Sequence, residues 1–481
     1  QFGIQEVDIL SMVKSYTKYA VQLTDLDSVR YEMEKAIAIA LSGRPGPVWL
    51  DIPLDIQASQ IDESSQREFK AENKVLQPYR EDIDATIQEL NKAERPIFII
   101  GHGIRLSHSI AEMRKLYEYV GIPVLTTWNG VDLIEDTHPL FFGRPGAVGQ
   151  RAANFIQQKA DCVITIGTRL CLLNSGYNFG NFLKNAKHIM VDIDEAEMNK
   201  KSLHPYKKIH CDAKAFINAL WIRKNEINLN QRTNWFDWCR RITERYPVFI
   251  KEQSPREGYV SNYNLVSEIS NQMHNDDLYQ FTSSGTTVDI AMKVFKIQWG
   301  QRAFLTKGLA AMGYDIPACV GSAMGSGRRV VCVTGDGSAC MNMQELEVIK
   351  RYSLPIKLFV SDNAGYSMIY QSQSNNFQSL TGCDRDSGLT LPDMGRIAEA
   401  FGIHSVYINS EDDLSEQIAY VLDFNGPVVC IVKTDITQKI LPKQTNYMMK
   451  NGQIASRPLE DMTPLLDRSE LLEIMGNRND Y

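Results

Sequence analysis

Two short motifs, 27 residues apart, carry the residue types of a metal–diphosphate site. Gly335–Gly337 (Gly-Asp-Gly) follows the apolar run Val330–Val333, and Asn363 follows the next such run, Ile356–Val360. The carboxylate of Asp336 and the amide oxygen of Asn363 are oxygen ligands of the kind that Mg²⁺ takes, usually together with phosphate oxygens. The pair therefore predicts a magnesium site that faces a phosphorylated ligand.

One strand–helix–strand unit must bring these motifs together. The pattern predicts a helix that begins at Ser338 and runs to about Arg351, with Pro355 ending the connection. Because crossovers between parallel strands are right-handed, both motifs should emerge at the same carboxyl edge, where open α/β sheets bind ligands. Glycines let the backbone approach phosphates, and a helix N-terminus there favours an anion. Either motif alone is more typical of a simple turn, so the prediction depends on the pair.

Composition excludes several classes of function. A chain of 481 residues with 43% hydrophobic and 23% charged residues is an ordinary soluble globular protein of two to four domains. The net charge of −7 argues against nucleic acid and anionic membranes as partners, and no apolar run is long enough to span a bilayer. The nine cysteines are scattered without a C-x-x-C pair, and the eight histidines show no metal-ligand spacing. These patterns predict reduced thiols and a cytoplasmic location.

The alternation of elements predicts an α/β fold of three doubly wound parallel-sheet domains. A helix over 27–42, capped by Asp27 and stopped by Gly43, precedes a strand at Pro47–Ile52. One helix and one strand cannot build a core, so this first domain is expected to be truncated; the first residue is Gln rather than Met. The predicted segments are the end of the first domain (1–57), a linker (58–78), a middle domain (79–222), a linker helix (223–258), the magnesium and diphosphate domain (259–440) and a tail (441–481).

The middle domain is predicted from four apolar runs with helical patterns between them. The helix over 110–119 is one of those patterns. The predicted strands are Ile97–Ile100, Val124–Leu125, Cys162–Ile166 and His188–Val191. The first ends in Gly101–Gly103 and the last in Asp192–Asp194.

Gly-Asp-Gly followed by Asn at this distance is the signature of thiamine diphosphate enzymes, and the chain resembles their acetolactate synthase (acetohydroxyacid synthase) branch over nearly its whole length. Residues 4–9 and 43–53 resemble the second half of the pyrimidine-binding domain, 308–318 the segment that holds the cofactor bent, and 458–471 the carboxyl tail. The resemblance implies thiamine diphosphate and Mg²⁺, and a homodimer or homotetramer with shared active sites. The family's activating glutamate belongs to the first half of the pyrimidine domain, which is missing from this chain.

The resemblance also implies site residues. The Mg²⁺ ligands would be Asp336, Asn363 and the Gly365 carbonyl. The catalytic set would be Gln5, Met312, which supports the bent cofactor, and Met368. The remaining thiamine diphosphate contacts would be Gly308, Gly335, Gly337, Ser338, Tyr366, Ser367 and the loop Ser284, Gly285, Thr286, Thr287. Acetolactate synthases usually carry Gly-Gln-His-Gln in that loop, whereas this chain has Gly-Thr-Thr-Val.

The middle domain resembles the FAD-holding domain of that branch, which implies FAD as a further cofactor. The positions that match FAD contacts are Arg44, Gly101, Gly103, Thr126, Arg169, Asp192 and Asp194. Cys171 stands where the family has an aspartate.

Two departures concern the second substrate. Leu54 stands where the family has Lys, and Leu173 stands where the family's Arg binds the carboxylate of the acceptor keto acid. A charged, two-pronged hydrogen-bonding contact is worth a few kcal/mol, and Leu has no donor to replace it. The departure predicts an acceptor without a free carboxylate, unless Leu173 is a core residue and another Arg substitutes for it.

The resemblance implies an enzyme that decarboxylates a 2-keto acid such as pyruvate and then protonates or transfers the remaining acyl-aldehyde unit. The first hypothesis is a carboligase with a non-carboxylate acceptor, such as a keto-sugar nucleotide. The alternatives are acetolactate synthase proper, a simple 2-keto acid decarboxylase, and an inactive cofactor-binding regulatory subunit. Decarboxylases of the family often use paired His residues, and this chain has no such pair in its sequence.

Overall fold

Three α/β units follow one another in the computed structural model, which describes residues 1, 3–71, 75–229, 232–449 and 451–476. The first unit has two parallel strands in register from Tyr19↔Val48. Its elements are α1 (Ile9–Val13), β1 (Tyr19–Gln22), α2 (Val29–Leu41), β2 (Val48–Asp51) and α3 (Leu54–Ala58).

The expectation of one helix and one strand in this unit was wrong, because β1 is a short, half-exposed strand without a clear apolar pattern. The predicted cap was wrong as well. Asp27 lies inside a 3-10 turn at Leu26–Ser28, and Asp25 accepts the capping hydrogen bond from the Asp27 backbone. The following helix begins at Val29.

The middle unit is a five-stranded parallel sheet with the order β4-β3-β5-β6-β7. Its strands are β3 (Pro96–Ile100), β4 (Val124–Thr126), β5 (Cys162–Ile166), β6 (Lys187–Asp192) and β7 (Lys207–His210). Its helices are α4 (Arg80–Lys92), α5 (Gly103–Leu106), α6 (Ile110–Val120), α7 (Arg151–Lys159), α8 (Leu172–Ser175), α9 (Glu195–Met198) and α10 (Ala213–Ile222). The residues of β3 and β5 are all buried, since helices cover both faces of a doubly wound sheet.

Helix α11 (Thr233–Arg245) packs on α7 and leads to the last unit, a six-stranded parallel sheet with the order β12-β13-β11-β10-β8-β9. Its strands are β8 (Leu278–Phe281), β9 (Arg302–Phe304), β10 (Val330–Gly335), β11 (Ile356–Asp362), β12 (His404–Ile408) and β13 (Val428–Lys433). Its helices are α12 (Asn262–Gln272), α13 (Gly285–Val294), α14 (Asp315–Ser326), α15 (Asp336–Cys340), α16 (Leu346–Arg351), α17 (Ser367–Asn376), α18 (Met394–Ala400) and α19 (Leu414–Asp423). The tail adds an antiparallel pair, β14 (Asn446–Met448) and β15 (Ile454–Ser456), and helix α20 (Arg468–Met475), which packs on α7.

The predicted fold class, doubly wound parallel α/β units, is confirmed by these two sheets. The single helix predicted from Ser338 to Arg351 was wrong, because α15 begins at Asp336 and ends at Cys340, and α16 begins only at Leu346. Between the two helices lies a 3-10 turn at Met343–Glu345, and just before it the side-chain amide of Asn342 donates to the carbonyl oxygen of Gly313 at 2.7 Å.

The order of the strands brings the two motifs together. Strands β10 and β11 are direct parallel neighbours, and Gly335 pairs in register with Ser361. The residues after each strand therefore meet at one carboxyl edge of the sheet, as the sequence predicted.

All nine cysteines are free thiols. Of the helices formed by the described residues, none combines the length and the apolar character needed to cross a membrane.

Candidate active site

Asp336 organises the two motifs at the carboxyl edge of the last sheet. One carboxylate oxygen accepts from the backbone N–H of Gly337 at 2.8 Å, and the other accepts from Asn363 and Gly365 at 3.1 and 3.2 Å. The side chain is 3% exposed, and this burial, with the neighbouring Asp362 adding to it, raises the pKa of Asp336 to about 7. A carboxylate desolvated in this way gains strongly from a bound cation.

The oxygens available at this edge fit Mg²⁺. Asn363 Oδ1 is buried and has no hydrogen-bond partner among the described residues, as expected for an oxygen that awaits a ligand. It lies on the loop that Asp336 holds through two backbone N–H groups. Gly365 must be glycine, because a Cβ there would lie 2.3 Å from the Cys383 carbonyl oxygen.

Two ten-residue helices begin beside the predicted magnesium ligands. Gly285 opens α13 with a φ of +85°, and Ser367 opens α17. The hydroxyls of Thr286 and Ser367 are 3.0 Å apart, so the two helix N-termini meet. Unpaired N–H groups and the positive ends of two helix dipoles then favour a diphosphate at this point.

Two further predicted cofactor contacts, Gly337 and Ser338, lie in a packed aromatic contact and in a buried hydrogen-bond network. A Cβ at Gly337 would lie 2.2 Å from Cε1 of Tyr366, so this glycine lets the Tyr366 ring pack over the motif. Ser338 directs its hydroxyl inward, where it donates to Asp315 and accepts from the N–H of Gly313. Asp315 was not predicted from the sequence, because its hydrogen-bond partners come from segments far apart in the chain.

The three predicted catalytic residues, Met312, Met368 and Gln5, are more accessible than the predicted magnesium ligand Asp336. Met312 is half-buried next to Gly313, and Met368 is 42% exposed. Gly308, a predicted cofactor contact, lies on an exposed turn. Gln5 is exposed in the first unit with a φ of +65°. No hydrogen bond joins Gln5 to the described residues of the carboxyl edge, so its catalytic role stays a prediction.

A cavity of about 1170 Å³, which we call the interdomain cavity, lies where the three units meet. The first unit contributes Arg44, the middle unit contributes the ends of its central strands, and the last unit contributes Lys307 and Gly308. Of the predicted FAD contacts, Arg44, Gly103, Arg169 and Asp192 line this cavity.

The other predicted FAD contacts lie outside the wall of the cavity. Thr126 is fully buried, and Thr127 and Trp128 line the cavity instead. A Cβ at Gly101 would lie 2.4 Å from the Gly167 carbonyl oxygen, so Gly101 serves the close packing of two strand ends. Asp194 accepts from Arg44 at 3.4 Å.

Glu197, which was not predicted from the sequence, forms ion pairs with three basic residues of this region. Its carboxylate accepts from Arg44 at 2.5 Å and from the Nε of Arg169 at 2.7 Å, and it also pairs with Lys200. Burial alone would raise the pKa of Glu197, but the bond to Lys200 and the charges of Lys200 and Arg169 hold it below its ordinary value. Burial raises the pKa of Asp192 nearby.

Three polar atoms in the cavity wall are buried without partners among the described residues. They are Trp128 Nε1, Thr168 Oγ1 and Asn174 Nδ2. Unpaired buried donors are costly, so these atoms fit the polar groups of a bound ligand. Together with the volume of the cavity, they fit a large, polar, partly aromatic molecule such as FAD.

Comparison with known proteins decides the family. Residues 83–220 match the central domain of thiamine pyrophosphate enzymes, and residues 283–432 match their C-terminal TPP binding domain. The large subunit of acetolactate synthase isozyme 2 from Escherichia coli is 31% identical over 447 residues, which cover 92% of this chain and 78% of that protein. The chain belongs to the acetolactate synthase-like family of thiamine pyrophosphate enzymes.

Other relatives carry the same description. A probable acetolactate synthase large subunit from Methanococcus aeolicus is 29% identical over 88% of this chain and 73% of its own length. The chloroplastic acetolactate synthase 1 of Zea mays is 27% identical over 92% of this chain and 70% of its own length. The predicted family, and the prediction of a thiamine diphosphate (pyrophosphate) enzyme, are thus confirmed.

Proposed function

We propose that this thiamine diphosphate enzyme is a carboligase that decarboxylates a 2-keto acid such as pyruvate and transfers the acyl-aldehyde unit to an acceptor without a free carboxylate. A keto-sugar nucleotide is an acceptor of this kind. We propose further that Asp336, Asn363 and the Gly365 carbonyl bind Mg²⁺, that the interdomain cavity holds FAD, and that the enzyme works as a homodimer or homotetramer. Thiamine diphosphate, when bound, supplies the nucleophilic carbon and accepts the electrons released with CO₂.

The observation that carries the proposal is the position of Leu173. Its side chain lines the interdomain cavity beside Asn174 and also packs against the apolar core of the last unit. Leu173 is therefore at once a residue of the cavity wall and a residue that packs on the core. The Leu173 side chain itself offers no donor to a carboxylate.

The charges around the cavity support the same conclusion. Arg44 and Arg169 bind Glu197, Lys307 binds Asp289 at 2.9 Å, and Lys214 binds Glu112 at 3.2 Å; these are the Lys and Arg residues of the described cavity wall. Each of them already has a carboxylate partner. These partners offset part of each positive charge, which weakens the attraction of the wall for the carboxylate of a keto-acid acceptor.

A simple decarboxylase is a second candidate, favoured by two histidines that the fold brings to the cavity. His102 and His108 both line it, although they are not a pair in the sequence. Burial lowers the pKa of His102, and its Nδ1 lies 2.9 Å from the Asn129 carbonyl oxygen. A neutral imidazole is a weak proton donor near neutral pH, which ranks this candidate second.

The test is product analysis by NMR with ¹³C-labelled pyruvate and a set of acceptors. One reaction has no added acceptor, and the others contain 2-ketobutyrate, a neutral aldehyde or a keto-sugar nucleotide. We expect a labelled α-hydroxyketone with a neutral acceptor, unbranched from the aldehyde and branched from the keto-sugar nucleotide, and no such product with 2-ketobutyrate. Acetolactate from pyruvate alone would identify an ordinary acetolactate synthase, and acetaldehyde as the sole product with every acceptor would identify the decarboxylase.

A further inference from the structure

Asp315 is a buried carboxylate beneath the carboxyl edge of the last sheet. It is 0% exposed, and it forms no ion pair with a Lys or Arg of the described residues. Four donors surround it: Thr282 Oγ1 at 3.0 Å, Ser283 N at 2.9 Å, Thr334 Oγ1 at 2.5 Å and Ser338 Oγ at 2.6 Å. A buried carboxylate is tolerated when hydrogen bonds satisfy it in this way.

The four donors come from the segments that carry the cofactor residues. Thr282 and Ser283 follow β8 and directly precede the loop that begins at Ser284. Thr334 directly precedes Gly335 on β10, and Ser338 belongs to α15, which Asp336 opens. Asp315 thus contacts both sides of the diphosphate edge at once.

The network also reaches the segment of Met312. Ser338, which donates to Asp315, accepts from the N–H of Gly313 at 2.9 Å. Ser283 also donates its hydroxyl to the Ala311 carbonyl oxygen. Both neighbours of Met312 are therefore hydrogen-bonded to a serine side chain, and each of these two serines also donates to Asp315.

We propose that Asp315 is a positioning residue for thiamine diphosphate: it holds the Ser284–Thr287 loop, the Gly335–Ser338 segment and the Met312 segment in their binding arrangement before the cofactor arrives. A rigid arrangement of donors does not have to reorganise on binding, so its loss is expected to weaken cofactor binding. Asp315 touches neither the diphosphate nor the reacting atoms in this role.

The test compares Asp315→Asn with Asp277→Asn. Asp277 is a matched control, because it is 2% exposed and sits before β8 at the opposite edge of the same sheet, where it accepts from Arg329 at 2.6 and 2.8 Å. Both variants exchange one buried carboxylate oxygen for an NH₂ group. We expect both to lower the melting temperature of the cofactor-free protein. Only Asp315→Asn should raise the calorimetric Kd for thiamine diphosphate at saturating Mg²⁺, by about tenfold or more.

Thr334→Val is a less disruptive substitution that still tests the proposal if Asp315→Asn does not fold. It removes one of the four hydrogen bonds at nearly constant volume, and we expect a Kd increase of about threefold with little change in melting temperature. The proposal is overturned if the folded Asp315 and Thr334 variants bind thiamine diphosphate within about twofold of the wild type. It is also overturned if Asp277→Asn weakens binding as strongly as Asp315→Asn.

Discussion

Leu173 is the residue at which this chain departs most clearly from what its family implies for the second substrate. It lines the interdomain cavity, whereas the Lys and Arg residues of that wall already have carboxylate partners. A single side chain can therefore account for a change of acceptor in a fold that otherwise keeps the family's elements. Residues of this kind determine specificity without contributing to the cofactor site.

The variant Leu173→Arg is expected to gain acetolactate formation from pyruvate. A guanidinium in the wall can bind an acceptor carboxylate through two hydrogen bonds, which corresponds to about a ten- to hundredfold rise in that product. Product formation is measured by ¹³C NMR, with Leu173→Gln as an uncharged control that should show no gain. A folded Leu173→Arg protein that binds thiamine diphosphate but forms no acetolactate would contradict the role of this position.

His188 makes the stability of the protein depend on pH. It is 2% exposed on β6, its Nε2 lies 3.0 Å from Thr165 Oγ1, and burial lowers its pKa to about 3. The unfolded chain has a His pKa of about 6.5, so between these values it binds more protons than the folded protein. The free energy of unfolding is then expected to fall as the pH drops from about 6.5 toward about 3, by up to ~1.4 kcal/mol per pH unit.

Urea unfolding at several pH values checks this prediction. His188→Gln removes the titrating group, keeps a hydrogen-bonding partner for Thr165, and should flatten the pH dependence. His210→Gln replaces an exposed histidine on β7 and should keep the slope of the wild type. Equal slopes in His188→Gln and the wild type would show that His188 does not carry the effect.

At the scale of elements, the glycines after β3 and β5 set how closely two strand ends approach. The N–H of Gly103 donates to the Gly167 carbonyl oxygen at 2.9 Å, and a Cβ at Gly101 would lie 2.4 Å from that same oxygen. Gly167, Arg169 and Leu170 follow with φ values of +59°, +60° and +47°. This compact turn positions the Arg169 side chain at the wall of the cavity.

Gly101→Ala is expected to destabilise the protein by about 1–3 kcal/mol or more, because neither backbone segment can move away easily. Gly321→Ala is the control: it lies on the exposed side of α14, where a Cβ would meet nothing within 4 Å. There the substitution should stabilise the helix by about 0.5–1 kcal/mol. Chemical unfolding of both variants measures the difference, and a neutral Gly101→Ala would refute the close packing at this turn.

At the scale of the whole molecule, the middle and last units pack directly on each other beside the interdomain cavity. Trp128 and Val131 of the middle unit belong to the same apolar core as the residues of the last unit, and α20 packs on α7. Two of the units that line the cavity share a core, so its shape depends on how these two units pack. A ligand in it would also stabilise their arrangement.

If the interdomain cavity holds FAD as proposed, we expect binding to depend on the Thr168 hydroxyl, which has no partner among the described residues. Thr168→Val removes a buried hydroxyl from the wall and should raise the Kd for FAD about three- to tenfold. Thr126→Val makes the same change at a buried, unpartnered hydroxyl outside the wall and should leave the Kd unchanged. Flavin absorbance and fluorescence titration measure both, and equal effects of the two variants would contradict the assignment.

The sequence predicted the features that depend on one strand–helix–strand unit. Asp336 and Asn363 were predicted to meet, because each directly follows a buried strand and parallel neighbours end at the same edge. Asp315 and Glu197 could not be predicted in this way, since their hydrogen-bond partners converge only after several units have packed. Strand β1 was missed for a different reason, because half-exposed strands lack the apolar pattern on which such predictions rely.

The most direct test of the account is a calorimetric titration of thiamine diphosphate into the full-length protein, with Mg²⁺ and with a chelator. Binding is expected in Mg²⁺ and should be lost, or weakened by about a hundredfold or more, in the chelator and in Asp336→Ala and Asn363→Ala, which remove the proposed metal ligands. Thermal unfolding serves as the check that these variants are folded. Tight binding of thiamine diphosphate by folded Asp336→Ala, or binding that is indifferent to Mg²⁺, would contradict the assignment of this carboxyl edge as the cofactor site.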